Sequence, residues 1–417
     1  MSQSIAKKDK QNFFFLSCIR IASIGIPSLG IGHFLSEQYG PGVAIPSIFV
    51  GNLILWIIGI AVVSVTNKSN INGVQNIKNF IGTTGTLLIS ITLLIACFDW
   101  FSFQINATIH SFSNILPLNF DIKKNAMVRI GTALGLLSAL LALGGMRLLK
   151  WTSVITLPCL ILYIGYVLAH SDMSIIDSFS WGLSFSAVLT IVLAFLAGVI
   201  CLPTFFRYSS SLANSYLALT IVVLFFTLIQ TASILIKFDP NSYGIIILNK
   251  PSNILSDFLI PSIFIFLICI CNNLMNIYFA SAFYETFSPR FYGTKGHAIM
   301  GLMGTATYAF VQISPSILFL LNLITSYIFN LSCVLLIAFI LRIIVKHKSS
   351  RIEQLINCSA WIIGCIVGTI AKFQNPGEEF QFLFTGISAS ALFFLVVVFM
   401  KETTGAIQDF RLQRTSK

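Results

Sequence analysis

The stretch from Cys97 to His110, CFDWFSFQINATIH, lies inside a long apolar segment yet carries an aspartate, a tryptophan, a glutamine, an asparagine and a histidine. Trp100 and Gln104 are spaced i, i+4, which puts an indole and a primary amide on one helix face. An aromatic ring stacks on the face of a planar ligand, and an amide, both donor and acceptor, reads its edge. The same two side chains serve equally well as packing and as interhelical hydrogen bonding. A second polar row, ICNNLMNIYFASAF, sets Asn272, Asn273, Asn276 and Tyr278 at helical spacing. Its asparagines either line a cavity or bond across helices.

The elements that must position these residues follow from composition. The chain has 417 residues, of which 56% are hydrophobic and 9% charged, whereas a soluble domain carries about 25% charged residues. Apolar runs long enough to cross a bilayer, about 20 residues each, recur from Phe13 to Met400. They predict an all-α polytopic membrane protein of twelve transmembrane helices: 13–36, 42–66, 81–113, 126–147, 149–169, 182–208, 214–237, 254–286, 296–312, 314–345, 354–371 and 380–400.

The opening segment, residues 1–12, reads as a cytoplasmic basic tail without a cleaved signal, and 401–417 as a cytoplasmic carboxy-terminal tail. Residues 13–400 form a single transporter domain. With both termini inside, most of the 25 basic residues face the cytoplasm. Only Lys123, Lys124, Arg129, Lys237, Lys250 and Lys372 fall outside, which agrees with the positive-inside rule and points to the plasma (inner) membrane. The net charge of +11 is thereby explained by an anionic lipid leaflet as partner, with no nucleic acid.

Nine cysteines are scattered without metal-ligand spacing. No phosphate loop, HExxH pair or aspartate-rich cluster is present, so we expect no enzyme, no metal and no cofactor.

Two spans carry interruptions. The first reads IASIGIPSLGIGHFL, with Gly25, Pro27, Gly30 and Gly32; the sixth reads LAGVICLPTFFRYSS, with Gly198 and Pro203. Proline opens the hydrogen-bond ladder of a helix, and paired breaks five spans apart are the mark of inverted repeats. They predict a 5+5 inverted repeat with broken helices 1 and 6, one repeat over about 13–169 and the other over about 182–345, followed by two extra helices at 354–400. The third span then places Asp99 near the bilayer midplane, where an aspartate costs about 2.5–3.5 kcal/mol and needs protein or water around it.

Several of these segments carry a resemblance. Trp100-Phe101-Ser102-Phe103-Gln104, Pro203-Thr204-Phe205-Phe206-Arg207-Tyr208, Asn273-Leu274-Met275-Asn276-Ile277-Tyr278 and the second-span VGNLIL occur in the order of matching motifs in the nucleobase-cation symport family, the cytosine and purine permeases and hydantoin transporters. The resemblance covers spans one to eight; spans nine to twelve match in hydropathy alone. It implies a leucine-transporter-type fold with substrate between spans 1, 3, 6 and 8. Trp100 and Phe205 would sandwich a flat ring, Gln104, Asn273 and Asn276 would bond its edge, and backbone at Gly25 and Gly30 would complete the pocket.

Departures from the family bear on coupling. Sodium-using members present two hydroxyls where this chain has Cys271 and Asn272, and a thiol is a poor ligand for a hard cation. A proton is therefore the expected coupling ion and sodium the less favoured one, with Asp99 and His33 as candidate carriers. The reading is an importer of a nucleobase or related heterocycle such as cytosine, a purine or hydantoin, working by alternating access. An amino-acid permease of the same fold, with Asp99 taking the ammonium, and a ligand-binding receptor that does not translocate remain alternatives.

Overall fold

A computed structural model describes residues 10–66, 73–115, 124–170, 180–235, 237–238, 245–246, 259–291, 293–314, 323–324, 327–338, 340, 351–374 and 385–399. The tail residues 1–9 and 401–417 and much of the expected span 314–345 lie outside the described residues. The described chain is helical apart from a two-residue ladder, in which β1 (Lys237–Phe238) pairs antiparallel with β2 (Ile245–Ile246). Six helices are long and apolar enough to cross a membrane, and shorter apolar helices accompany them. This establishes a polytopic α-helical membrane protein.

The first expected span is three helices, α1 (Phe13–Ala22), α2 (Ile26–Leu29) and α3 (Ile31–Tyr39). It opens at Gly25, whose φ of +78° is left-handed backbone that a side chain resists. The long helix α4 (Pro41–Thr66) follows, then α5 (Gly73–Ile115), which kinks at Gly82, φ 79° and ψ −178°. After α6 (Lys124–Ala142) and α7 (Gly145–His170), the sixth expected span divides at Cys201 into α8 (Phe185–Ile200) and α9 (Leu202–Phe206). Pro203, in the first turn of α9, has no N–H for the ladder, so the division falls where the sequence predicts.

The next helices are α10 (Leu212–Ala232), α11 (Ile260–Tyr284) and α12 (Thr294–Ile313). The chain ends with α13 (Tyr327–Ala338), α14 (Arg351–Gln374) and α15 (Thr385–Phe399). It divides into two compact units, Met1–Gly73 with Leu93–Leu321, and Val74–Thr92 with Asn322–Lys417.

In the larger unit α1 packs between α7 and α10, α4 lies on α8 and α10, and α11 lies on α6, α7 and α12. The apolar window of α11 is 72% buried against 22% for α7, so α11 is the central post and α7 a wall with a lipid-facing side. Around the break in the first span, Ile21, Ile24, Ile26 and Leu29 pack with Tyr163, Val222, Ile229, Phe264 and Ile268. The rings of Tyr163 and Phe264 stack at 4.2 Å.

The helices α6 and α12 meet through small residues. A Cβ added at Gly131 would overlap the Tyr308 phenol, one at Gly135 would come 2.7 Å from Thr305 Oγ1, and one at Gly301 2.6 Å from Ala139 Cβ. Without a hydrophobic force between helices in lipid, such close approach supplies the packing. In the smaller unit polar ties do similar work: Asn357 Nδ2 donates to the Phe80 carbonyl at 2.7 Å and Trp361 Nε1 to that of Tyr327 at 2.9 Å.

Because the Tyr308 ring fills the notch at Gly131, Gly131→Ala should cost about 1–3 kcal/mol by overpacking. Thermal unfolding of the purified protein in detergent measures it, and an unchanged midpoint would refute the notch.

Candidate functional site

Breaking a helix inside a membrane strands backbone groups that water cannot reach, and these must find partners in the protein. Here α5 and α11 supply them. The Ile26 N–H, just past the break, donates to Gln104 Oε1 at 3.1 Å. The Ser23 carbonyl, at the end of α1, accepts from Asn272 Nδ2 at 2.7 Å, and Asn272 Oδ1 in turn accepts from Asn276 Nδ2 at 2.9 Å. Gly25 lies between the two amides: a Cβ there would come 2.8 Å from Asn272 Nδ2 and 2.8 Å from Gln104 Oε1. Absence of a side chain at 25 thus serves both the left-handed turn and the convergence of three elements.

Of the residues expected from the sequence, the structure brings Gly25, Gln104, Asn272 and Asn276 together. Asn273 is fully buried on the next position of α11, its Nδ2 3.6 Å from Cys269 Sγ. Gly30 departs from expectation, because its φ of −74° and ψ of −14° are helical and the backbone opens at Ser23 to Gly25 instead.

Trp100 is also placed differently from the simple face argument. It is 37% exposed while Gln104 is fully buried, and its ring meets Phe103 edge-on at 5.8 Å. Phe205 is fully buried against Phe206, centroids 5.3 Å apart. No ring contact among the described residues joins Trp100 to Phe205.

The coupling candidates also separate. Asp99 is buried on α5. His33, on α3, has Nε2 3.3 Å from Glu37 Oε1 one turn on, and Glu37 is exposed. Cys271 turns to α7, where its sulfur lies 3.1 Å from Thr156 Oγ1 and 4.0 Å from Ser153 Oγ.

A second polar cluster, centred on Arg207, was only half visible in the sequence. The Tyr278 hydroxyl donates to the Thr204 carbonyl at 3.0 Å and accepts from Arg207 Nε at 3.0 Å. Arg207 Nη1 lies 3.5 Å from Glu285 Oε2, and both side chains are almost wholly buried. The main chain at this point is bound to the amino-terminal segment: Lys10 Nζ donates to the Arg207 carbonyl at 2.7 Å, and Gln11 N–H to that of Tyr208 at 2.7 Å. Partial burial lowers the Lys10 ammonium from its ordinary pKa. Arg207 and Tyr278 belong to recognised motifs, but Glu285 does not. Its signal was its place two turns after Tyr278 on one helix face. His297 and Ser281 line the small cavity beside this pair.

Arg20 was counted among the cytoplasmic charges. It sits in the last turn of α1, and a Cβ at Gly198 of α8 would come 3.1 Å from its Nη2. A cation near a helix carboxy terminus is favoured by the helix dipole.

Glu285→Ala should destabilise the protein by about 3–5 kcal/mol, because it leaves the Arg207 charge buried and unpaired. Replacing both partners, Arg207→Met with Glu285→Leu, should cost less than the single change. Thermal unfolding of both variants decides; equal losses would mean that the charge pair is not what matters.

No family model and no curated protein matches the chain. Solved structures do. Mhp1, described as a nucleobase-cation-symport-1 family transporter in a closed conformation with bromovinylhydantoin bound, is 16% identical, with 97% of this chain and 96% of that one covered and a TM-score of 0.63. A sodium-coupled sialic acid symporter in a substrate-bound, outward-open state is 14% identical over 93% of this chain and 90% of its own, with a TM-score of 0.66. A manganese transporter of Eremococcus coleocola is 10% identical over 93% and 92%, with a TM-score of 0.56. At such identities the likeness is one of fold, and over nearly its whole length this chain has the fold that these transporters share.

Proposed function

We propose that the protein is a secondary active transporter that imports a nucleobase or a related flat heterocycle by alternating access. In this reading it has twelve spans, two inverted five-helix repeats and two further helices in one transporter domain, with both termini in the cytoplasm. The observation that carries it is the join at Gly25. A helix opened at membrane depth, its loose N–H and C=O held by side-chain amides from two other helices, is the device by which transporters form a polar site in a bilayer. The bound heterocycle in the structurally similar Mhp1 supports the ligand class, as does the presence of Gln104 and Asn273 in one buried layer with Gly25.

Reconstituted protein should accumulate one or more of cytosine, uracil, hypoxanthine and hydantoin, and these should compete with one another. Competition by aromatic amino acids instead would favour the amino-acid permease, and binding without counterflow the receptor. Gln104→Ala should weaken binding by about 1–3 kcal/mol or more, since a buried polar partner is left unmet. Wild-type affinity in this variant would move the site elsewhere.

On coupling, the geometry favours a proton, or no ion, over sodium. Asn272 spends its nitrogen on Ser23 and its oxygen on Asn276, and Cys271 faces the hydroxyls of α7. The sialic acid symporter uses sodium, so the comparison is a direct one. A proton on Asp99 would be imitated by Asp99→Asn, which should keep exchange and lose uphill uptake. Accumulation driven by a sodium gradient at fixed pH would refute this.

A further inference from the structure

Gln104 and Asn273 share a feature that the amide side chain alone does not settle: which of their two ends faces a ligand. The surroundings settle it. A backbone N–H only donates, so the bond from Ile26 makes the near end of Gln104 its oxygen. Its nitrogen, Nε2, points away, and it is buried with no hydrogen-bond partner among the described residues.

Asn273 is fixed through three links. Thr108 Oγ1 donates its one hydrogen to the Gln104 carbonyl at 2.7 Å. Thr108 is also a hydrogen-bond partner of the Cys269 thiol, so its oxygen accepts from that S–H. The sulfur is then left to accept, and it accepts from Asn273 Nδ2 at 3.6 Å. Asn273 Oδ1 is consequently the outward end, and it too is buried with no partner among the described residues. Gln104 and Asn273 are both fully inaccessible, and contact of Gln104 and Asn272 with the same glycine puts them at one level.

The other two asparagines are committed elsewhere. Asn272 caps the end of α1 and Asn276 holds Asn272. A buried donor and a buried acceptor left unmet at one level each carry a desolvation cost, which a ligand with matching groups removes.

We infer that substrate is read by one donor, Gln104 Nε2, and one acceptor, Asn273 Oδ1, and so must present an acceptor beside a donor, as the N–H/C=O edge of a ring lactam or the N/N–H edge of an amidine does. This rests on the proposal that the layer holds a flat heterocycle, and it narrows that class. A carboxylate offers only acceptors and sets its lone pairs against Asn273; an ammonium offers only donors and faces Gln104 Nε2. A heterocycle methylated on its ring nitrogens keeps its shape and stacking but loses the donor. Sites built to bond a polar group reject the analogue lacking it far more strongly than sites that only pack.

The test is equilibrium binding to the purified, full-length protein. Uracil and hydantoin are each compared with their 1,3-dimethyl derivatives, and nicotinate serves as a flat carboxylate. Wild type should bind a parent ring at least tenfold more tightly than its dimethyl form or nicotinate. Gln104→Glu keeps an oxygen for Ile26 and loses the donor, so it should lose tenfold or more. Asn273→Asp keeps the acceptor and should stay within about threefold of wild type. Equal affinity for parent and dimethyl rings in wild type overturns the inference whatever the variants do, and so does full affinity in Gln104→Glu or a loss in Asn273→Asp as large as in Gln104→Glu. Failure of wild type to bind either parent ring overturns the heterocycle reading itself, and the inference with it.

Discussion

A polypeptide can leave helical geometry inside a bilayer only if the freed backbone groups are paired, because each unpaired one costs several kcal/mol in hydrocarbon. That constraint organises the larger unit. The left-handed turn at Gly25 frees one N–H and one carbonyl, and their partners come from α5 and α11, far apart in sequence. The central, heavily buried position of α11 follows from this, as does the rarity of side-chain bulk around residue 25. Hydrogen bonds between side-chain amides and backbone are individually modest in net stability. A join made of a few of them can be exchanged for ligand contacts without dismantling the apolar packing around it.

The apolar shell and the polar centre have separate roles. The stack of Tyr163 on Phe264 and the cluster of Ile21, Ile24 and Ile268 hold the half-helix of α1 against α7 and α11. The Arg207 cluster ties α9, α11 and the Lys10 segment, using charge where the centre uses neutral amides. A buried ion pair is a poor source of stability but a demanding specifier of geometry, since neither partner tolerates the other's departure.

Spans and breaks were legible because hydropathy and the chemistry of proline and glycine act locally. Pro203 and Gly25 mark their breaks in the sequence itself. Gly30 misled because its conformation depends on what packs beside it, and a glycine is as content in a helix as out of one when no side chain decides. Spacing put Trp100 and Gln104 on one face, yet one is partly exposed and the other wholly enclosed, since a helix face is wide and its neighbours cover it unevenly. The three asparagines of α11 looked equivalent. Their division, two for the helix end and one left over, is set by where Ser23 and Cys269 fall across the interface, and no pattern within α11 encodes that. Glu285 went unnoticed because a charge near a span end reads as a topological marker until its partner is seen.

The close fit of α6 on α12 bears on which parts can move. Tyr308 occupies the notch at Gly131 and donates to the Met127 carbonyl at 3.2 Å, while Thr305 and Gly301 sit against Gly135 and Ala139 one and two turns along. Sliding one helix past the other by a turn would drive a phenol into a β-carbon-sized gap, so the pair is geared like a rack and travels as one body. Any rearrangement that opens the centre must then be borne by surfaces meeting through flexible aliphatic chains, and the α6–α12 couple becomes the fixed frame against which such motion is measured.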